Sequence, residues 1–310
     1  MAPLFHFHCY GLRFASELHF PEMIQSVAST EEVDVTIRMG ETPSSLPGAR
    51  RMEPFDHCWE GRANEFLLTV GLHLRFHVVE GNSITIQATP DAHSDALRLF
   101  LFGSAFGALL HQRGYLPLHG SSVRMPDGRA AVFLGHSGSG KSTLAALLGR
   151  RGHPPLGDDT SPLRVDEGGA LCLYPGLPQH KLWLKTLEQL EHDPSDGHRV
   201  LPTMDKYYLP AFSPALTPAP LGKLYILEPG DVGSVTMEPL VGKERLAALF
   251  DHTYRSDFAR RLGQNPGYLR LVAAVAGSGV TIRRLRRPCE GWSLSECVEL
   301  MEADWGAPFR

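Results

Sequence analysis

Apolar and polar positions alternate with a period of two over the first ninety residues. Phe5, Phe7 and Cys9 alternate with His6 and His8, and Glu65–Val70, 73–79 and Ser83–Ala88 keep a similar rhythm. Gly, Pro and Asn punctuate these runs, which predicts short strands joined by turns. The segment 40–51, with Pro43, Ser44, Ser45, Pro47 and Gly48, reads as a loop. Over 91–113 the period changes. Leu97, Phe100, Leu101, Ser104, Ala105, Ala108 and Leu109 recur at helical spacing, and Gly114 stands where a helix stops.

Two short apolar strands follow, over 118–124 and Ala130–Leu134, separated by the turn Met125-Pro126-Asp127-Gly128, and they read as a hairpin. Leu144, Ala145, Leu147 and Leu148 then place an apolar stripe on a helix that closes with Arg150, Arg151 and Gly152. Beyond it the pattern predicts a strand over 223–227, amphipathic helices over 243–250 and 293–303, and a proline-rich loop over 202–220. The expected organisation is a β-rich N-terminal domain over 1–90 and an α/β domain over 91–310, with the helix 91–114 as bridge.

Composition narrows the choice of partner. The 310 residues are 43% apolar, enough to fill a core, and the formal charge of −4 provides no global positive field for nucleic acid. Five scattered cysteines, Cys9, Cys58, Cys172, Cys289 and Cys297, form no Cys-x-x-Cys pair, which disfavours a disulfide framework and a thiolate zinc site and fits a reducing cytoplasm. The N-terminus Met1–His6 has no basic segment ahead of a long apolar run, and no stretch reaches the roughly 20 residues that span a bilayer. The expectation is a cytoplasmic protein without membrane or nucleic-acid partners.

Candidate chemistry is concentrated between residues 119 and 160. The stretch Gly135-His136-Ser137-Gly138-Ser139-Gly140-Lys141-Ser142-Thr143 lies between a predicted strand and a predicted helix. Its glycines let successive backbone N–H groups turn toward phosphate oxygens, and the helix that follows offers its positive end to the same anion. Lys141 supplies a mobile charge for the β- and γ-phosphates of a nucleotide such as ATP, and Ser142 supplies a hydroxyl for Mg²⁺. Sixteen residues after Ser142 come Asp158 and Asp159. Beside a Mg–nucleotide site, one such carboxylate can hold metal while the other orients an acceptor hydroxyl and takes its proton.

His119 stands on the strand before the one that feeds the loop, within reach of the γ-phosphate or the carboxylate pair. His180, Lys181 and Lys185, near Trp183, are further candidates for phosphate or substrate contact. The His6-x-His8-Cys9 alternation is read as one strand face rather than as a metal site. Arg283-Arg284-Leu285-Arg286-Arg287 could steer an acidic peptide or a phosphate, and is read first as a solvated strand edge that discourages further pairing.

Taken in order, Leu118-His119-Gly120-Ser121-Ser122-Val123, then Gly135–Ser142, Arg151-Gly152-His153 and Asp158-Asp159 resemble the catalytic domain of HPr kinase/phosphorylase, a bacterial protein-serine kinase. The resemblance is specific over 116–164. It implies a mixed-sheet P-loop domain similar to the nucleotide domain of phosphoenolpyruvate carboxykinase. It further implies an active-site role for His119, phosphate binding by Lys141 and the loop amides, magnesium held by Ser142 with one of Asp158 and Asp159, and the other aspartate as general base. Two features depart from that family: Thr143 stands where its glutamate is usual, and Tyr174-Pro175-Gly176-Leu177-Pro178-Gln179 stands where its Glu-Ile-Arg-Gly segment would lie.

The Tyr174-Pro175-Gly176 stretch, Tyr10-Gly11-Leu12, Ser16-Glu17-Leu18 and Glu238-Pro239-Leu240 look more like HPr-kinase-related proteins that include lasso-peptide tailoring kinases. That second likeness implies a ribosomal precursor peptide, or another small protein with an acceptor serine, as partner, and is compatible with a homo-oligomer. The expected activity is an ATP- and Mg²⁺-dependent serine kinase acting on the C-terminal serine of such a peptide. HPr as acceptor, and a nucleotide-binding regulatory module without an acceptor, remain open alternatives.

Overall fold

The computed structural model describes residues 4–26, 32–53, 57–289 and 292–306. Met1, Ala2 and Pro3, part of the N-terminal segment read above, lie outside the described residues. Two compact units form: Met1–Pro117 with Tyr254–Leu271, and Leu118–Thr253 with Val272–Arg310. The division therefore runs elsewhere than the expected boundary near residue 90. The stretch 91–114 lies within the first unit, to which the chain returns for a second, short segment.

The first unit is built on an eight-stranded sheet. Its order is Phe5–Cys9, Leu12–Ser16, Val35–Met39, Ser83–Ala88, Leu74–Val79, Glu65–Val70, His57–Arg62 and Arg51–Met52. Side chains that alternate to one face are buried, as with Leu74, Phe76 and Val78, because the period of a strand sends every second residue into the core. The helical stretch Ser94–Gln112, which contains one π turn over Leu101–Ala105, follows the aromatic residues that hold it. Phe106 stacks on Phe14 at 5.2 Å, Phe102 meets Phe20 at 5.2 Å, and the Tyr115 hydroxyl donates to the Tyr10 carbonyl at 3.0 Å. Phe258 on the returning helix Ser256–Arg261 packs at 4.6 Å from both Trp59 and Phe66. Burying these rings is why both segments belong to this core rather than to the other.

The second unit carries the phosphate loop on a mixed sheet. Gly120–Arg124 and Ala130–Leu134 form the expected hairpin, with Gly120 opposite Leu134 and Arg124 opposite Ala130. Ala130–Leu134 then runs parallel to Ala219–Gly230, which runs parallel to Thr281–Pro288. Helices Lys141–Arg150 and Leu294–Asp304 pack on one face, where Leu144, Leu148, Val298 and Met301 meet Phe133, Tyr225 and Leu285. Polar clamps fix the C-terminal helix. Asp304 accepts from Lys223 Nζ at 2.8 Å and from the Tyr225 hydroxyl at 2.7 Å, while Glu302 takes two bonds from Arg151 and faces His153 Nε2 at 2.9 Å.

Two expectations are corrected here. Within the proline-rich 202–220, Lys206–Pro210 is a strand, because Tyr207 and Leu209 are buried against Leu182, Leu187 and Leu190, and it pairs with Gln179–Trp183. The basic run 283–287 is not an edge, since Thr281–Pro288 is paired on both sides. Its charges are met internally: Arg283 by Asp304, and Arg284 by Glu228, Glu238 and Glu244. Among the described residues, no helix is long and apolar enough to cross a membrane.

Candidate active site

The phosphate loop has the strand-to-helix setting its composition demands. Fully buried Ala130–Leu134 ends at Gly135, and the helix Lys141–Arg150 starts from Gly140. Gly135 has φ +149° and Gly140 φ +104°, regions that side-chain-bearing residues rarely enter. A Cβ on Gly135 would lie 2.7 Å from both the Leu227 carbonyl oxygen and Ser139 Oγ, so even alanine would force the loop off the neighbouring strand. The Ser139 N–H donates to the His136 carbonyl at 3.1 Å, which closes the turn.

Lys141 is buried, and its Nζ donates to the Gly135 carbonyl at 2.7 Å and to the His136 carbonyl at 3.0 Å. Burial pulls its pKa below the ordinary lysine value, while Asp158 and Asp159 oppose the shift. The lysine thus folds back along its own loop.

Asp158 and Asp159 are adjacent in sequence but differently placed. Asp158 is buried, accepting from Ser121 Oγ at 2.5 Å with one oxygen and from the Lys181 backbone N–H at 2.7 Å with the other. Asp159 adopts a left-handed φ of +68°, a conformation aspartate tolerates better than most residues, and its carboxylate faces a cavity. There it lies 3.7 Å from His119 Nδ1 and 3.6 Å from Lys181 Nζ. Burial by itself would raise its pKa; Lys181, His119, Lys206 and Lys141 overcome this and hold it at about 2. The folded-state value is depressed. Its stabilising contribution is therefore present above the ordinary carboxylate range and is lost as pH falls through about 2.

His119 follows the strand Leu116–Leu118 directly and is anchored by its backbone N–H, which donates to the His252 carbonyl at 2.7 Å. Its Nδ1 is 3.0 Å from the Asp159 carbonyl oxygen, and a carbonyl can only accept. Burial lowers the pKa of the ring, an effect that Lys141 reinforces and Asp159 opposes. A neutral ring in this geometry carries its proton on Nδ1 and its lone pair on Nε2.

These groups share one cavity of about 300 Å³. Ser137, Gly138, Gly140, Lys141, Ser142 and Thr143 line it from the loop and helix, and His119 and Asp159 from the sheet. Lys181, Lys185 and Lys206 add three further ammonium groups, and Arg287, Cys289, Trp292 and Leu294 are among the remaining wall residues. Among the predicted residues, Gly135, His136, Ser139, Asp158 and the further candidate His180, which is buried, do not line it. Gly135, His136 and Ser139 shape the loop, and Asp158 is held by its hydrogen bonds to Ser121 and Lys181. Of the predicted magnesium ligands, Ser142 and Asp159 line the cavity and offer hard oxygen donors, which suit a magnesium ion that takes most of its ligands from phosphates and water.

Sequence reasoning named Arg287 only as part of a basic cluster and did not place it at the phosphate loop. Its guanidinium donates to the Ser139 carbonyl through Nε at 3.2 Å and through Nη2 at 3.0 Å, and to the Pro288 carbonyl through Nη1 at 2.9 Å. The alternation along 281–288 could have suggested that Arg283, Leu285 and Arg287 share a face, with Leu285 marking it as the buried one. Arg287→Ala is expected to release the Ser139 carbonyl and weaken MgATP binding by about tenfold, read by calorimetry, since a charge-assisted bond of this kind contributes about 1.5–3 kcal/mol. Lys206 was missed for a different reason: its strand lay in a segment read as loop.

No family model matches the chain. Over 68 residues it is 40% identical to phosphoenolpyruvate carboxykinase (ATP) from Novosphingobium aromaticivorans. The matched stretch is 22% of this chain, and the chain spans only 12% of that protein's length. Among solved structures it is similar to the HPr(Ser) kinase/phosphatase from Coxiella burnetii at 11% identity, covering 60% of this chain and 91% of the other with a TM-score of 0.29.

Proposed function

We propose that this protein is an ATP- and Mg²⁺-dependent kinase that transfers the γ-phosphoryl group to a serine hydroxyl of a peptide or small protein, such as the C-terminal serine of a ribosomal precursor peptide. The observation that carries the reading is the meeting, in one cavity, of a glycine-rich loop at a helix N-terminus with the carboxylate of Asp159 and the imidazole of His119. The partial match to an ATP-dependent carboxykinase supports ATP as the nucleotide.

In this account the loop amides and Lys141 hold the phosphates, and Lys141 exchanges its two loop carbonyls for phosphate oxygens on binding. Ser142 would hold a magnesium ion, which would supply positive charge to offset that on the transferred group, while Asp158, with its two oxygens committed to Ser121 and the Lys181 N–H, would fix the turn that carries Asp159. Asp159 orients the acceptor hydroxyl and receives its proton as the bond to phosphorus forms, and neutral His119 adds an acceptor beside it. Most of the acceleration comes from positioning and from preorganised positive charge, because loose phosphoryl transfer asks little covalent chemistry of the protein.

Intact-mass measurement after incubation with MgATP and candidate serine peptides is expected to show a gain of one phosphoryl group that a Ser→Ala peptide does not acquire. Nucleotide binding without any phosphorylated peptide or small protein would instead favour a regulatory module, and phosphorylation of HPr alone would favour a narrower kinase.

A further inference from the structure

We infer that Lys181 and Lys206 form a subsite for a carboxylate on the acceptor molecule, next to the hydroxyl that receives the phosphoryl group. The inference rests on the kinase reading above and adds the chemical class of the acceptor to it.

Gln179–Trp183 and Lys206–Pro210 pair antiparallel, with Lys181 opposite Tyr208 and Trp183 opposite Lys206. Directly opposed residues share a sheet face, so the two lysines are diagonal neighbours on one face, framed by the two rings. Lys181 Nζ lies 5.7 Å from the centre of the Tyr208 ring, and Lys206 Nζ lies 5.3 Å from that of Trp183. Both line the cavity.

Two ammonium groups side by side repel, and partial burial aggravates this: burial and Lys181 together push the Lys206 pKa below the ordinary lysine value. Asp159 offsets part of that charge, standing 3.6 Å from Lys181 Nζ. It is the one carboxylate among the described lining residues, against five cationic side chains. The phosphate loop has cations of its own in Lys141 and Arg287, so the lysine pair is not required by the triphosphate. An anion of the second substrate balances it. Asp159 beside the pair disfavours a doubly charged phosphate, whereas a singly charged carboxylate meets less repulsion.

Because Asp159 orients the hydroxyl and also touches Lys181, the bound carboxylate lies close to that hydroxyl. Two sources provide this chemistry: the α-carboxylate of a terminal serine, or an acidic side chain next to an internal serine. Four synthetic peptides of otherwise identical sequence separate them when titrated calorimetrically into the full chain, preloaded with magnesium and a non-hydrolysable ATP analogue. They end in serine as free acid, in serine amide, in serine-aspartate amide and in serine-asparagine amide.

At least one carboxylate-bearing peptide is expected to bind about tenfold tighter than its neutral counterpart, the scale of one charge-assisted contact. The gap is expected to close in both Lys181→Met and Lys206→Met, and the member of the set that binds best identifies the source. Equal affinity across the four peptides, a gap that survives both substitutions, or no peptide binding at all overturns the subsite. If magnesium–nucleotide binding persists while discrimination fails, only the subsite is lost; if nucleotide binding is absent too, the kinase reading fails with it.

Discussion

Lys141→Met is expected to weaken MgATP binding by at least about 10²-fold, since two charge-assisted bonds at about 1.5–3 kcal/mol each are removed from the phosphates. Methionine nearly preserves the length of the side chain and its packing in a loop where Lys141 is buried. Lys141 Nζ already occupies the Gly135 and His136 carbonyls, so its loss leaves acceptors that water can fill once the loop opens toward the cavity. A melting temperature close to the parent's, together with lost calorimetric binding, is the expected signature.

The second large effect separates the aspartates. Asp159→Asn is expected to slow phosphoryl transfer by about 10³-fold, within the range a positioned proton acceptor supplies, while MgATP still binds. Asn also tolerates the left-handed φ of +68°, so the turn survives. Asp158→Asn should behave differently. Its carboxylate accepts from both Ser121 Oγ and the Lys181 N–H. An amide offers only one oxygen, so one buried donor loses its partner at a cost of about 1–3 kcal/mol, and Lys181 is freed to shift. Single-turnover rates paired with thermal melts distinguish the two: Asp159→Asn loses far more rate than Asp158→Asn, and both melt below the parent, Asp159→Asn because it removes a carboxylate that its cationic neighbours stabilise and Asp158→Asn because it leaves a buried donor unmet.

Much of this was legible in sequence because local signals were strong. Alternation over Glu65–Val70 and Ser83–Ala88 gave strands with the bounds observed, and the turn at 125–128 gave the hairpin. The phosphate loop declared itself through glycines at 135, 138 and 140, of which Gly135 and Gly140 meet a neighbouring segment at close range. What stayed hidden depended on distant partners. Arg287 reads as one cation in a basic run, and only the pairing of Thr281–Pro288 beside Ala219–Gly230 brings it to Ser139. Lys206 sat among prolines at 202, 210, 214, 218 and 220, a composition that masked the buried Tyr207-Tyr208-Leu209. The interleaving of the two units was equally invisible, since nothing local in Ser256–Arg261 states that Phe258 belongs against Trp59 and Phe66.

Calorimetric titration of the full chain with ATP, in the presence and absence of magnesium, bears most directly on whether a triphosphate docks in the loop beside Asp159 and His119. Saturable binding that strengthens with magnesium and is lost in Lys141→Met is the predicted result. A folded protein that takes up no ATP under either condition, or a Lys141→Met variant that binds as tightly as the parent, would contradict it.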